Sequence, residues 1–206
     1  MADYCTVAEV KTLLPESGLD VNFDFDTMLA TLVTSASRML DREVGVEPNY
    51  FATPSSDSST RYYDGNGRTC IFIGDWQSVS AVAVSEQGGL ASSDYTAWSS
   101  SDYITAPYNT TPIFELHVDT LNGSKLYWQP YRKAVKVTGV WGYSSTPPSD
   151  VALAAKIQTV RLFQRSKQMF STSGAPEAGT QDYTNLDPDV AQIVAHYKLR
   201  QTAIHD

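Results

Sequence analysis

The feature that most constrains this chain is a double change of hydrophobic period. Near both ends apolar residues recur in steps of three and four, the spacing of a helix with one buried face. From about Pro48 to Tyr143 they fall instead into short runs broken by turn residues, the pattern of strands. The order helix, helix, strands, helix, helix reads as α+β. It divides the chain into residues 1–45 with two helices, 46–145 as an inserted small antiparallel β domain, and 146–206 with two more helices.

Thr6 and Glu9 have the spacing of a capping box, opening a short helix that ends near Leu14, before Pro15. After a linker, Asp24 or Asp26 caps a second helix whose stripe is Phe25, Met28, Leu29, Leu32, Val33, Ala36, Met39 and Leu40. Gly45 stands where a left-handed residue would stop it. In the middle, Arg61–Tyr63 and Thr69–Ile73 flank Asp64-Gly65-Asn66-Gly67, which predicts a hairpin. Val79, Val82 and Val84 predict a separate strand. Tyr95–Trp98, Tyr103-Ile104, Ile113–Val118, Leu126–Trp128 and Ala134–Trp141 bring the expected number to six to eight, in a small sandwich or barrel.

Pro147-Pro148-Ser149-Asp150 ends the strand region and opens a helix over 150–170, capped by Ser149 or Asp150. At about 100° per residue, Val151, Ala155, Leu162 and Met169 form one apolar arc, widened by Ala152, Phe163 and Phe170. Leu153, Ile157 and Val160 form a second arc almost opposite, with Gln158, Arg161, Arg165 and Gln168 on the polar strip. A helix apolar on two sides must be covered on both, by its own fold or by a neighbouring chain. A loop over 171–186 leads to Asp187-Pro188-Asp189, which starts a last helix. That helix has Val190, Ile193, Val194 and Tyr197 on one face and Lys198 and Arg200 near its end.

No apolar run approaches the ~20 residues of a spanning helix, so no membrane association is expected. The start MADYCTVAEVK has neither a basic nor an apolar signal region. Two cysteines, Cys5 and Cys70, suit a reducing cytosol rather than a disulfide scaffold. The net charge of −8 is uneven: residues 1–124 carry 5 basic and 17 acidic side chains, residues 125–206 carry 10 and 6. Such a chain should not hold phosphate backbones non-specifically.

No catalytic constellation assembles. There is no GxSxG, P-loop, HExxH or CxxC pair, and His117, His196 and His205 have no ligand spacing, so neither enzyme, cofactor nor metal is expected. Asp24 and Asp26 read as capping acids. The aromatics of the middle region, among them Tyr62, Tyr95, Trp98, Tyr127 and Trp128, read as core and interface rather than a sugar or base platform. Lys125, Arg132, Lys133 and Lys136 beside them are weak support for nucleic-acid contact.

The blocks TVAEVKTLL, FDTMLATLVTSASRMLDREVG, VKVTGVWGYSSTPPSDVALAAKIQTVRLFQR and LDPDVAQIVAHYKLR, in that order, resemble the head–tail connector (adaptor) proteins of tailed bacteriophages. The strand-rich middle is similar to larger members with a β insertion, and Tyr197-Lys198 stands where a Tyr-Arg pair is common. The resemblance implies a four-helix connector core and a non-enzymatic virion protein made in the bacterial host cytoplasm. It implies a ring, usually of twelve, at the phage neck. That ring joins the portal protein to the tail terminator or stopper and surrounds passing double-stranded DNA without binding it specifically. On this reading Leu153, Ile157, Val160, Phe163 and Phe170 are expected at the subunit interface. Val190, Ile193, Val194, Tyr197, Lys198 and Arg200 are expected to dock on the portal or another partner. The alternatives are a β-rich binding module of a tail or baseplate, recognising sugar or protein, and a hydrolase using Asp24, Asp26 or His117.

Overall fold

The computed structural model of this chain describes residues 2–14, 25–89, 91, 94–170 and 186–202. In chain order these form α1 (Val7–Leu13), α2 (Asp26–Val44), β1 (Ser59–Tyr63), β2 (Cys70–Ser85), β3 (Tyr95–Ala97), β4 (Tyr103–Ala106), β5 (Ile113–Val118), β6 (Val135–Trp141), α3 (Ser149–Phe170) and α4 (Pro188–Thr202). The fold is α+β. It comprises two compact units, a helical one from residues 1–49 and 147–206 and a strand unit from residues 50–146.

In the helical unit, the Thr6–Glu9 capping box forms: the Thr6 hydroxyl accepts the Glu9 N–H at 3.2 Å, and the Glu9 carboxylate accepts the Thr6 N–H at 2.8 Å. Two backbone donors at the helix start are thereby satisfied. α2 buries Leu29, Val33, Ala36 and Leu40 and ends at Gly45, whose φ of +85° is left-handed and whose N–H reaches the Asp41 carbonyl at 2.9 Å. Its start differs from expectation. Asp24 lies outside the described residues, Phe25 holds the cap position without a side-chain bond, and Asp26 is the first helical residue. There its charge still favours the positive helix end, and it pairs with Lys11.

Two polar residues lie on the buried face of α2, where the periodicity had placed only apolar ones. Ser37 accepts the Tyr4 N–H at 3.0 Å, and Asp41 accepts the Tyr4 hydroxyl. Arg38 pairs with Asp41 at 3.2 Å and donates to the Ala2 carbonyl at 2.7 Å. The segment before α1 is thus strapped along α2 by polar bonds. Burial pushes the Asp41 carboxyl up to about 6 from an ordinary 3.8, against the opposing pull of Tyr4 and Arg38. A carboxyl raised in the folded state gives stability that is present below pH 3.8 and lost as pH rises through about 6. Urea unfolding of the wild type and of Asp41→Asn across this window should therefore diverge. The wild type loses stability with rising pH more steeply than the variant; equal slopes would contradict the assignment.

α3 turns Val151, Ala154, Ala155 and Phe163 inward, with Phe163 edge-on to Phe25 at 5.4 Å between ring centroids. Gln158, assigned to a polar strip from the sequence, is instead buried, and its Oε1 has no hydrogen-bond partner among the described residues.

The strand unit is one antiparallel sheet in the order β1-β6-β2-β5-β4, with β3 also on β2. The expected sandwich or barrel is replaced by this single sheet, in which β1 and β4 end the strand order. The expected hairpin around Asp64–Gly67 does not form, because β1 pairs with β6, Ser59 opposite Gly139 and Tyr63 opposite Val135. Gly65 is there for close packing: a Cβ on it would lie 1.7 Å from the Gln129 carbonyl oxygen. The runs at 69–73 and 79–84 are one 16-residue strand, β2. Its register slips between Phe72 and Trp76, where Gly74 takes a φ of +73°. Leu126–Trp128 is not a strand; Trp128 comes from a loop and stacks on Trp98 at 4.6 Å. The core joins Ile71, Ile73, Trp76, Val82, Leu116, Trp128, Val135 and Val137. The two ends of the unit are bonded to each other, Tyr143 N–H to the Tyr50 carbonyl at 2.8 Å and Thr53 N–H to the Ser144 carbonyl at 3.0 Å.

Candidate assembly surface

The two apolar arcs of α3 meet different surroundings. Phe163 is 1% exposed and belongs to the core of its own unit, so it has no surface to offer a neighbour. The side chain of Phe170 lies outside the described residues. Leu153 is 47% exposed, while Ile157 and Val160 are half-buried. These three sit at i, i+4 and i+7, one row along the helix. Ile157 and Val160 line an open groove of about 380 Å³ together with Leu13, Arg161, Gln164 and Asp187. The Arg161–Asp187 pair at 2.9 Å forms its polar wall. An apolar strip with a charged border, left open to solvent, has the anatomy of a protein-contact surface.

The face of α4 that the sequence offered to a partner is turned toward its own unit. Val190, Val194 and Tyr197 are 0%, 3% and 6% exposed, and the Tyr197 hydroxyl donates to the Asp150 carboxylate at 3.0 Å. Lys198 pairs with Glu43 of α2 at 3.0 Å. Ile193 is half-buried, and the Arg200 side chain lies outside the described residues. The physical reason is that a short helix with one apolar face is stable only when that face is covered, and the helices of its own unit cover it.

In the strand unit three of the four basic residues that suggested nucleic acid, Lys125, Lys133 and Lys136, lie over aromatic rings. Lys133 lies over Tyr62 at 4.9 Å, Lys136 over Tyr95 at 5.7 Å and Lys125 over Trp98 at 5.9 Å. These cation–π contacts occupy ring faces that a stacked base or sugar would need. A groove of about 190 Å³ remains beside Trp98, Lys125 and Tyr127. Of the acids and histidine weighed for hydrolysis, Asp26 is paired with Lys11 in the helical unit. His117 belongs to the strand unit beside Glu115.

No family model matches the sequence, and no curated protein matches it. In structure the chain is similar to one from the neck of an empty GTA particle computed with C6 symmetry. The TM-score is 0.51 at 12% identity, covering 92% of this chain and 88% of that one. A chain from the neck of a native GTA particle computed with C12 symmetry aligns with a TM-score of 0.47 at 14% identity, over 93% and 87% of the two chains. One from the virion of a native gene transfer agent particle aligns at 0.48 and 15%, over 93% and 88%. The first of these likenesses establishes a common fold spanning nearly all of both chains.

Proposed function

We propose that this chain is a structural protein of the neck of a tailed phage or phage-like particle. Twelve copies form a ring that joins the portal protein to the tail terminator or stopper and surrounds the DNA passage. The observation that carries this reading is the fold, held in common over 92% of the chain with a protein of a neck assembly. Two features support it. The open apolar row Leu153, Ile157, Val160 gives one copy a surface for the next. The net charge of −8 suits a passage through which DNA slides without being held. The protein is then made in the host cytoplasm and works in the virion.

The test is the double substitution Leu153→Asp with Ile157→Asp. Leu153 is exposed and Ile157 half-buried, so the fold should survive with a melting temperature lowered by a few degrees, about 2–4 °C per kcal/mol at this chain size. Particles carrying the variant should lack the neck ring by cryo-electron microscopy. A ring that still assembles removes the α3 row from the interface. Wild-type protein absent from the neck of its particle overturns the reading altogether. The rival reading, a sugar- or protein-binding module of a tail or baseplate, draws on the groove beside Trp98; glycan-array binding abolished by Trp98→Ala would favour it.

A further inference from the structure

We propose that Cys70, Glu115 and His117 form a binding site for a single zinc-class divalent ion on the outward face of the strand unit. The strand register builds the site. Cys70 stands directly opposite His117 across the β2–β5 ladder, and Glu115 is two residues before His117. With a side-chain period of two, all three project from the same face. Their neighbours Ile71 and Leu116 are buried on the other face, in the core.

Two of the three donor spacings are close to those a metal needs. Cys70 Sγ lies 3.7 Å from His117 Nε2, and Nε2 lies 2.9 Å from Glu115 Oε2. The three donor atoms all fall within 4.8 Å of one another. Zinc bonds of about 2.0–2.3 Å in a tetrahedral arrangement place neighbouring donors about 3.3–3.6 Å apart. The sulfur–nitrogen spacing already matches, and the nitrogen–oxygen pair needs to open by only about 0.4 Å on this geometry. The Glu115 and His117 side chains are 34% and 38% exposed, so an ion has a route in.

The donor set selects the metal. Thiolate with imidazole favours zinc and its cobalt substitute over the hard ions calcium and magnesium, which want oxygen alone. Three protein ligands leave a fourth position for water or a donor from another molecule. Coordination through Nε2 puts the imidazole proton on Nδ1. The plain alternative is a His–Glu hydrogen bond with a cysteine nearby, and it makes no demand that the three act together.

Co²⁺ titration of the full-length protein distinguishes the two. Binding should saturate at one equivalent, with a thiolate-to-cobalt charge-transfer band in the near ultraviolet that Zn²⁺ displaces. Cys70→Ser and Cys70→Ala should both abolish the band. His117→Asn and Glu115→Gln should each weaken binding by at least about tenfold, the scale reached when even outer-shell partners of a metal are removed. Circular dichroism checks that each variant is folded, and the exposed positions of His117 and Glu115 make those two the safest. The proposal is overturned by a wild type without the band, by a band that persists without Cys70, or by unchanged affinity in both His117→Asn and Glu115→Gln.

Discussion

Ending the chain at residue 185 is expected to lower the thermal midpoint of the protein by about 6–20 °C. The truncation removes α4, which buries Val190, Val194 and Tyr197 against its own unit. Full burial of such side chains contributes about 1.5–3 kcal/mol each. Ordering the helix offsets part of that, while the faces of α2 and α3 that α4 covers would become exposed. A net loss of about 3–5 kcal/mol, at about 2–4 °C per kcal/mol for a chain of this size, gives the stated shift. Val194→Asp should reproduce much of it by burying an unpaired charge. Tyr197→Phe should cost less, about 1.5–3 kcal/mol, since it deletes the hydroxyl's bond to the Asp150 carboxylate. Differential scanning calorimetry reads all three. A truncated protein within a few degrees of the full chain would mean that α4 is not held on its own unit, and would return it to the role of a partner-docking segment.

The second large effect concerns Trp76. Its side chain is fully buried where β2 changes partners, and its indole N–H lies 2.9 Å from the Ile73 carbonyl and 3.0 Å from the Tyr63 hydroxyl. β2 pairs with β5 before this point and with β6 after it. Trp76→Ala should cost about 3–5 kcal/mol through lost burial and the cavity left behind. It also removes the donor from both oxygens. Because one strand carries both ladders, the sheet should lose structure in one step rather than in halves. Trp76→Phe should fall between the two. Urea denaturation gives the size, and coincidence of far-ultraviolet circular dichroism with tryptophan fluorescence tests the single step. A loss below about 1 kcal/mol would contradict the central placement of this residue.

The helices were legible in the sequence because their signals are local. Thr6 and Glu9 are three residues apart, Gly45 follows directly on α2, and the stripe Leu29, Val33, Ala36, Leu40 repeats within one element. What the sequence hid depends on residues far apart along the chain. Asp64-Gly65-Asn66-Gly67 has the composition of a hairpin turn, yet β1 finds its partner at Val135–Gly139 and Gly65 answers to Gln129. An apolar stripe leaves out Ser37 and Asp41 of α2, and the Tyr4 segment explains their burial. The basic residues among the aromatics invited a ligand, and the structure places three of them on their own rings. For the α3 row, periodicity found Leu153, Ile157 and Val160 as a distinct arc but could not say that Phe163 was already covered by Phe25. His117 had no ligand at helix or loop spacing. Its neighbour Cys70 is 47 residues away and reaches it only through the ladder.

The bonded base of the strand unit bears on how such a chain can change. Tyr50 and Tyr143 hold the two ends together, so the chain leaves the helical unit and returns within a few residues of the same place. For the helical unit, everything from 50 to 146 then amounts to a closed loop. Closure cost grows only slowly with loop length, about 0.6 kcal/mol per doubling. A stretch of this kind can be lengthened or shortened at a small entropic cost. Recombination at the base would exchange the strand unit in one event, and a short Gly/Ser bridge from 49 to 147 offers the same cut to the bench.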